Sequence, residues 1–445
     1  MAEWIYRGVL VLCVAFLAFC AGSFLMLAKQ PPYGFFRDVR TAALALVQQQ
    51  RQPAQAALTD LYGDSLVGGS GVTVRDSTRM QPGYTLYTSG HEPSAYLIDQ
   101  FGRIVHKWHL PYSEVWRSGG AIEAPVPDTH TYFRYARVLA DGDLLVVYDG
   151  VGDTPHGYGV VRMDRASKPR WTYLERAHHA LDVLPDGRIV TMIHAINHAP
   201  IPRAGYLRPP RIDDALVVLS AEGEEQQRIE LLPAFVNSPF EGMLGLLPFY
   251  LLEGSGDFLH ANDVEAVTAS WAAASPHGEV GQVMVSMREP GVLALIDLAS
   301  ETMTWALRGP WIGQHDPDLL PNGHVLLYDN GGWFGPGGRS RILEIDPQTQ
   351  AHAWQYTGTS DAPFHSAIRG VQQRLANGNT LITETQRGRL LEVTPSGDIV
   401  WEYLNPARAT TERGERIAII SAGTRVGIHA FDAAFAGQLE TSSGG

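Results

Sequence analysis

Gly313-Gln314-His315-Asp316-Pro317-Asp318-Leu319-Leu320-Pro321-Asn322-Gly323-His324-Val325-Leu326-Leu327-Tyr328-Asp329-Asn330 carries the pattern that decides the fold. An apolar pair runs into a Pro-Asn-Gly turn, where the glycine supplies a positive φ, and alternating apolar residues follow, ending in a polar cluster. This is a strand, a tight turn and a second strand. The phrase recurs as Leu139-Ala140-Asp141-Gly142-Asp143-Leu144-Leu145, as Leu184-Pro185-Asp186-Gly187-Arg188-Ile189-Val190 and as Leu375-Ala376-Asn377-Gly378-Asn379-Thr380-Leu381. A second phrase alternates with it, an apolar pair, a polar residue (usually Asp), a turn and then Trp. It runs from Ile296-Asp297 to Trp305, from Ile345-Asp346 to Trp354 and from Val393-Thr394 to Trp401. Leu97-Ile98-Asp99 with Trp108 and Met163-Asp164 with Trp171 fit it too, whereas Leu219-Ser220 with Gly223 keeps the turn and lacks the Trp. Two hairpin phrases make a four-stranded unit, and the late copies repeat at about 48 residues, the period of propeller blades. Counting the second phrase gives about six blades. The expected fold is all-β, a six-bladed β-propeller.

Equivalent positions of successive blades are related by rotation about the central axis, so a residue type recurring at one register forms a ring. His315 precedes its turn glycine by 323 − 315 = 8 positions, and His179 does the same, 187 − 179 = 8. Phe258-Leu259-His260-Ala261-Asn262-Asp263-Val264 lacks the glycine, but alignment on His315 puts His260 at the same register and Thr268 at the turn. Three imidazoles at one register converge on one mouth of the channel. The competing reading is three unrelated strand histidines, each satisfied locally. Asn262 lies two residues after His260, on the same strand face. Arg288 ends a strand of that blade in Met284-Val285-Ser286-Met287-Arg288, and Asn330 ends the corresponding strand of the next. A guanidinium, an amide and several imidazoles hold a tetrahedral anion while one ring nitrogen stays free to attack.

The chain has 34 Lys and Arg against 47 Asp and Glu, a formal charge of −13, which argues against a general nucleic-acid or anionic-membrane surface. An anion site must therefore be local. The two cysteines, Cys13 and Cys20, lie in the apolar N-terminal run and leave the rest of the chain without a disulfide.

After a short tail, 1–8, residues 9–28 are apolar and long enough to cross a bilayer as a helix. Phe19 is bulky where a lipoprotein-type cleavage site needs a small residue, so an uncleaved transmembrane anchor is expected. Arg7 before the helix and Lys29, Arg37 and Arg40 after it leave the orientation undetermined by charge. Residues 29–82 are read as a helical stalk and linker. Phe36, Val39, Ala43, Leu44 and Val47 lie near one helix face, and a stretch rich in Gly, Ser and Asp follows at 63–77. The propeller is expected over 83–437, interrupted by an apolar insertion at 231–258. That insertion lids the channel, touches the membrane or fills a groove on the propeller edge. Ile417-Ala418-Ile419-Ile420 is expected to pair with the first blade and close the ring, and 438–445 to be disordered.

At the histidine, asparagine and arginine motifs the sequence resembles the bacterial arylsulfate sulfotransferase family. The matching pieces are His178-His179, His260-Ala261-Asn262, Ser286-Met287-Arg288, Gln314-His315, and Arg369-Gly370 leading into the 375–381 turn, within residues 83–405. The resemblance implies a six-bladed propeller that moves a sulfuryl group from a phenolic sulfate ester to a phenolic acceptor through a sulfohistidine. It makes His315 the nucleophile and gives sulfate binding and polarisation to His179, His260, Asn262 and Arg288. It also implies an inner-membrane protein with its propeller on the periplasmic side. Asn330 joins the substrate-binding set, with Trp333 and Phe334, or Tyr158 near His156, against the arene. His178 points to the opposite strand face.

The chain is shorter than the better-known members, has an anchor and stalk where they have a separate β domain, and lacks cysteines in the propeller. No cofactor is expected, and no nucleotide sulfate donor, since no Gly-rich loop ends in Gly-Lys-Ser or Gly-Lys-Thr. Three imidazoles also suit zinc, but Arg288 would repel a cation, so no metal ligand is assigned. The Asp-to-Trp phrases occur in quinoprotein propellers as well, which supports the fold more than a quinone. The alternative function is a non-catalytic anchored propeller that binds an anionic glycan, a lipid or a partner protein.

Overall fold

A computed structural model describes residues 2–28, 30–31, 33, 60–65, 68–247, 256–331, 339–411 and 414–443. The chain divides into two compact units, Met1–Ala56 and Ala57–Gly445. In the first, the helix Ala2–Leu27 exposes its side chains from Glu3 onward, apart from the half-buried Ser23 and Leu25. Within it Glu3–Leu27, of mean hydropathy 2.6, is long and apolar enough to cross a membrane, and suits a membrane span or a signal sequence alike. The stalk helix expected over 35–52 lies outside the described residues.

The second unit is all-β and propeller-like. Among the described residues it holds six antiparallel sheets of four or five strands and one of three. Sheet I takes its first strand, Ile420–Val426, from late in the chain and continues with Tyr84–Ser89, Ser94–Ile98 and Ile104–His109. Sheet II is Thr131–Val138, Leu144–Gly150, Gly157–Met163 and Pro169–Tyr173. Sheet III is Ala177–Val183, Ile189–Asn197, Arg211–Leu219 and Glu225–Glu230. Sheet IV is Ala261–Ala266, Gln282–Met287, Val292–Asp297 and Thr302–Arg308. Sheet V is His315–Leu319, Val325–Asp329, Arg341–Ile345 and His352–Tyr356. Sheet VI is Val371–Arg374, Thr380–Glu384, Arg389–Val393 and Ile399–Leu404, with Gly71–Arg75 added outside as a fifth strand. The first strand of each sheet touches the first strand of the next, and that of VI touches that of I.

The sequence phrases correspond to contacts between neighbouring sheets. The Asp of the second phrase caps its own turn: Asp99 Oδ1 accepts from the backbone N–H of Phe101 and Arg103, and Asp164 Oδ1 from those of Ala166 and Lys168. The Trp then reaches across. Trp108 Nε1 donates to Gly142 O in sheet II at 3.1 Å, Trp171 to Ala221 O in III at 3.0 Å, and Trp354 to Pro395 O in VI at 2.8 Å. Trp401 of VI donates to Gln100 O in sheet I at 3.1 Å. The turn beneath Trp171 must be glycine on two counts: Gly223 has φ 83°, and a Cβ there would lie 2.4 Å from the indole.

The first strands are laced by carboxylates. Asp182 of III accepts from Ala266 N of IV at 2.9 Å, Glu265 of IV from Leu319 N of V at 2.6 Å, and Asp316 of V from Gln372 N of VI at 2.7 Å. Burial raises Glu265 and Asp316, and with them Asp263 and Asp318 on the same strands. Asp316 is pushed up to about 7 by burial alone, and Asp263, Glu265 and Asp318, which their acidic neighbours also repel, stand well above the carboxylate range. A carboxyl whose folded pKa exceeds its unfolded one stabilises the fold below the unfolded value and loses that contribution as pH rises through the folded value. The melting temperature is therefore expected to fall between about pH 5 and about pH 8, and Asp318→Asn to flatten that slope. A melting temperature that rises across this window would contradict the assignment.

Three segments differ from their reading in the sequence. The linker region 29–82 contributes strands: Tyr62–Gly63 pairs with Gly414–Ala418, and Gly71–Arg75 pairs with sheet VI. Their shortness and Gly-rich setting hid the alternation. The tail is helical over Ala433–Ser443 and not disordered, because Phe431, Phe435 and Leu439, four residues apart, bury one face beside Trp108. Ile417 and Ala418 pair with Gly63 and Tyr62, and the pairing with the first sheet begins at Ile420↔Ser89. In the apolar insertion, Leu231, Leu232, Phe235, Val236, Leu244 and Leu247 are buried against Val190 and Leu216 of sheet III and Val283 and Ile296 of sheet IV. It fills the space between two sheets; 248–255 lie outside the described residues.

Candidate functional site

The first strands begin irregularly, and that irregularity builds the site. Each opens with a bulge or a left-handed residue: His179 has φ 60°, His260 47°, Asp316 52° and Arg369 61°. Pairing shifts between His178 and Leu181, between Ala261 and Asp263, between His315 and Asp318, and between Phe133 and Tyr135. A positive φ outside glycine is uncommon and is held only where the surroundings enforce it. Bulges re-aim side chains, and here they turn residues from four sheets into one cavity of about 240 Å³.

His179, His260, His315 and Arg288 all line this cavity. Their registers are not identical, however. His315 pairs with Tyr328, and 328 − 323 = 5, but the residue five after Gly187 is Met192, whose partner is His178. His179 arrives through the bulge instead.

His315 is buried, and its Nδ1 lies 2.7 Å from Asn330 Oδ1 and 3.0 Å from Gly313 O. Both are acceptors, so Nδ1 carries the proton and Nε2 keeps its lone pair. Asn330 is fixed in turn, its Nδ2 donating to Ser366 O at 2.7 Å and Arg369 O at 2.6 Å. Burial, then the charges of Arg134 and Arg288, hold the His315 pKa well below the ordinary histidine value. His179 is held down by burial and by His178, and His156 by burial and by His194. Asp257 Oδ2 lies 2.5 Å from His260 Nδ1 and orients that ring. Arg288 donates from Nε to Glu289 Oε1 at 2.9 Å and also pairs through Nη2.

Two amides are placed differently from their expected substrate contacts. Asn262 does not line the cavity. The bulge between Ala261 and Asp263 breaks the strand alternation, and its Nδ2 donates to Gln314 O at 2.7 Å, bracing the residue before His315. Asn330 likewise stands behind His315, outside the lining. Tyr158 is buried in the sheet I–II core with its hydroxyl between Val126 N and Asp153. His178 is fully buried, stacked on His194 with ring centroids 3.5 Å apart. Trp333 and Phe334 lie outside the described residues.

The structure adds residues to which the sequence reading gave no role. Arg134 lines the cavity, and its Nη1 donates to Ser421 Oγ at 3.1 Å. Arg369 lines it too, with its guanidinium 5.6 Å from the Tyr132 ring centre. His156 stands between His179 and His194. Asp149, pushed up to about 6 by burial, accepts from Tyr132 Oη at 3.1 Å. The spacing rule already contained Arg134, since 142 − 134 = 8. Three guanidiniums and a neutral imidazole with a free lone pair suit a small anion that is to be attacked.

The sequence matches the model of the family described as arylsulfotransferase (ASST) over residues 136–406. No curated protein matches the chain. Among solved structures it is similar to a protein of unknown function from Bacteroides caccae, at 12% identity and TM-score 0.47, covering 77% of this chain and 98% of that one. It is also similar to a streptogramin B lyase, at 12% identity and TM-score 0.40, covering 81% and 95%. The WD40 propeller domain of Doa1 follows at 10% identity and TM-score 0.39, covering 81% and 94%.

Proposed function

The chain belongs to the arylsulfotransferase (ASST) family, and from that premise we propose that it moves a sulfuryl group from a phenolic sulfate ester to a phenolic acceptor, with His315 as the covalent carrier. The observation that carries this reading is the orientation of His315, with Nδ1–H spent on two carbonyl oxygens and Nε2 left on a cavity lined by Arg134, Arg288 and Arg369. In the first half-reaction the Nε2 lone pair attacks sulfur, the sulfur–oxygen bond to the arene breaks, and a phenolate leaves. In the second, the acceptor phenol's oxygen attacks the same sulfur and the sulfur–nitrogen bond breaks. His315 is restored, and the phenol's proton passes to a neighbouring imidazole such as His260 or to water. The guanidiniums stabilise charge on the non-bridging oxygens, while Asn330 and Asn262 position the nucleophile.

The six sheets are the blades of a closed propeller in this reading, supported by the contacts of successive first strands and by the Trp401 link from VI back to I. Glu3–Leu27 serves as a membrane anchor, with the catalytic unit on the periplasmic side.

The test is sulfuryl transfer from a chromogenic aryl sulfate to a phenol, with the mass of the intact protein followed when acceptor is withheld. One added sulfuryl group per chain is the expected result, and turnover without a covalent adduct would overturn the carrier role. Asn330→Ala is expected to lower kcat about 10- to 100-fold, the scale of a lost orienting partner, with KM little changed. An unaltered kcat would remove Asn330 from this role.

A further inference from the structure

Behind one wall of the cavity, buried imidazoles gather around Asp214. This carboxylate is fixed by Ala261 N–H, which donates to Oδ2 at 2.7 Å. Its Oδ1 lies 2.9 Å from His194 Nδ1, so that nitrogen carries the proton and His194 Nε2 holds a lone pair, buried and without a hydrogen-bond partner. His178 lies flat on His194, with Nε2 3.4 Å from the same Oδ1. His178 Nδ1 and His179 Nδ1 share a hydrogen bond of 2.7 Å. His156 completes the set, its ring centroid 5.1 Å from that of His179 and 5.0 Å from that of His194. One ring nitrogen from each of His156, His179 and His194 lies within 4.8 Å of the others.

The buried His194 lone pair, with a ring nitrogen of His156 and of His179 gathered beside it, calls for a shared electron-pair acceptor. A histidine that donates one nitrogen to a carboxylate and presents the other to its neighbours has the arrangement of a metal ligand backed by its outer partner. All three donors are nitrogen, with no thiolate, and Asp214 and Asp257 supply negative charge nearby. Of the guanidiniums that would repel a cation, Arg288 is itself paired with Glu289, and Arg134 lies 3.8 Å from Asp149.

We propose that His156, His179 and His194 bind one divalent transition-metal ion of the zinc class, with Asp214 holding His194 from behind and the fourth coordination position open to the cavity. Three protein ligands with one open position is the pattern of a zinc ion that meets a ligand. The inference does not depend on the sulfotransferase reading; where both hold, His179 acts on the sulfate through the ion.

Full-length protein in detergent, stripped with chelator and dialysed, is titrated with Co²⁺ and with Zn²⁺, reading visible absorption, metal content and melting temperature. One equivalent per chain is expected, with the intense visible band of four-coordinate cobalt and a raised melting temperature. His156→Gln and His194→Ala should each weaken binding by about 10²-fold or more, and Asp214→Asn by about 10- to 100-fold, while His315→Ala binds normally. His156 lies at the cavity surface, so its variant keeps the test alive where a buried one fails to fold. Wild-type protein that takes up no stoichiometric metal, or His156→Gln that binds it unchanged, overturns the site.

Discussion

His315→Ala is expected to lower sulfuryl transfer by about 10³-fold or more, the scale on which an enzyme loses a covalent group, and to abolish the sulfated intermediate. Its melting temperature should stay close to that of the wild type, because the surrounding bonds belong mainly to Asn330, Asn262 and Gln314. The same residue fixes the acid limb of the pH profile. With its pKa held well below the ordinary 6.5, His315 stays neutral as pH falls through that value. The pre-steady-state release of phenol is therefore expected to stay level there, and a loss centred near 6.5 would mean that the attacking group is an ordinary exposed histidine. Variant protein that still transfers sulfate at a wild-type rate would falsify the assignment outright.

Arg134→Met should cost about 10²- to 10³-fold in kcat/KM, the effect of removing one preorganised charge from an oxyanion site. The methionine keeps most of the buried stem, and Asp149, 3.8 Å from the guanidinium and already raised by burial, takes up a proton once the cation is gone. The fold thus avoids an orphaned charge, and circular dichroism melting separates loss of rate from loss of structure. Arg134→Lys should recover only part of the rate, since an ammonium lacks the planar fork. If the methionine variant works within a factor of about two of the wild type, catalysis does not rest on oxyanion stabilisation of this kind.

The sheets were legible because each phrase has one physical cause. The turn glycines need positive φ, the aspartates cap turns, and the tryptophans reach the next sheet, so the spacing between them is the spacing of successive sheets. The cavity was legible for a related reason, since a count of eight back from a turn glycine finds His179 and His315. The same count from Gly142 gives Arg134, and counting histidines alone passed over it. Finer placement was not legible. Strand alternation put Asn262 beside His260, but a bulge is one extra residue with no fixed sequence signature, and it turned Asn262 towards Gln314. His194 and Asp214 were out of reach for another reason: they sit on second and third strands, where nothing in the repeat marks them out.

Arg134 is held by Ser421, on the strand that completes sheet I from the far side of the sequence. A ribosome will have released every imidazole of the cavity before residue 421 emerges. Until then Arg134 lacks its hydrogen bond to Ser421, and Asp149 is left as its partner within sheet II. If Arg134 serves the proposed transfer, the strand that completes sheet I also acts as a timing device, since that guanidinium is fully fixed only after residue 421 has been made.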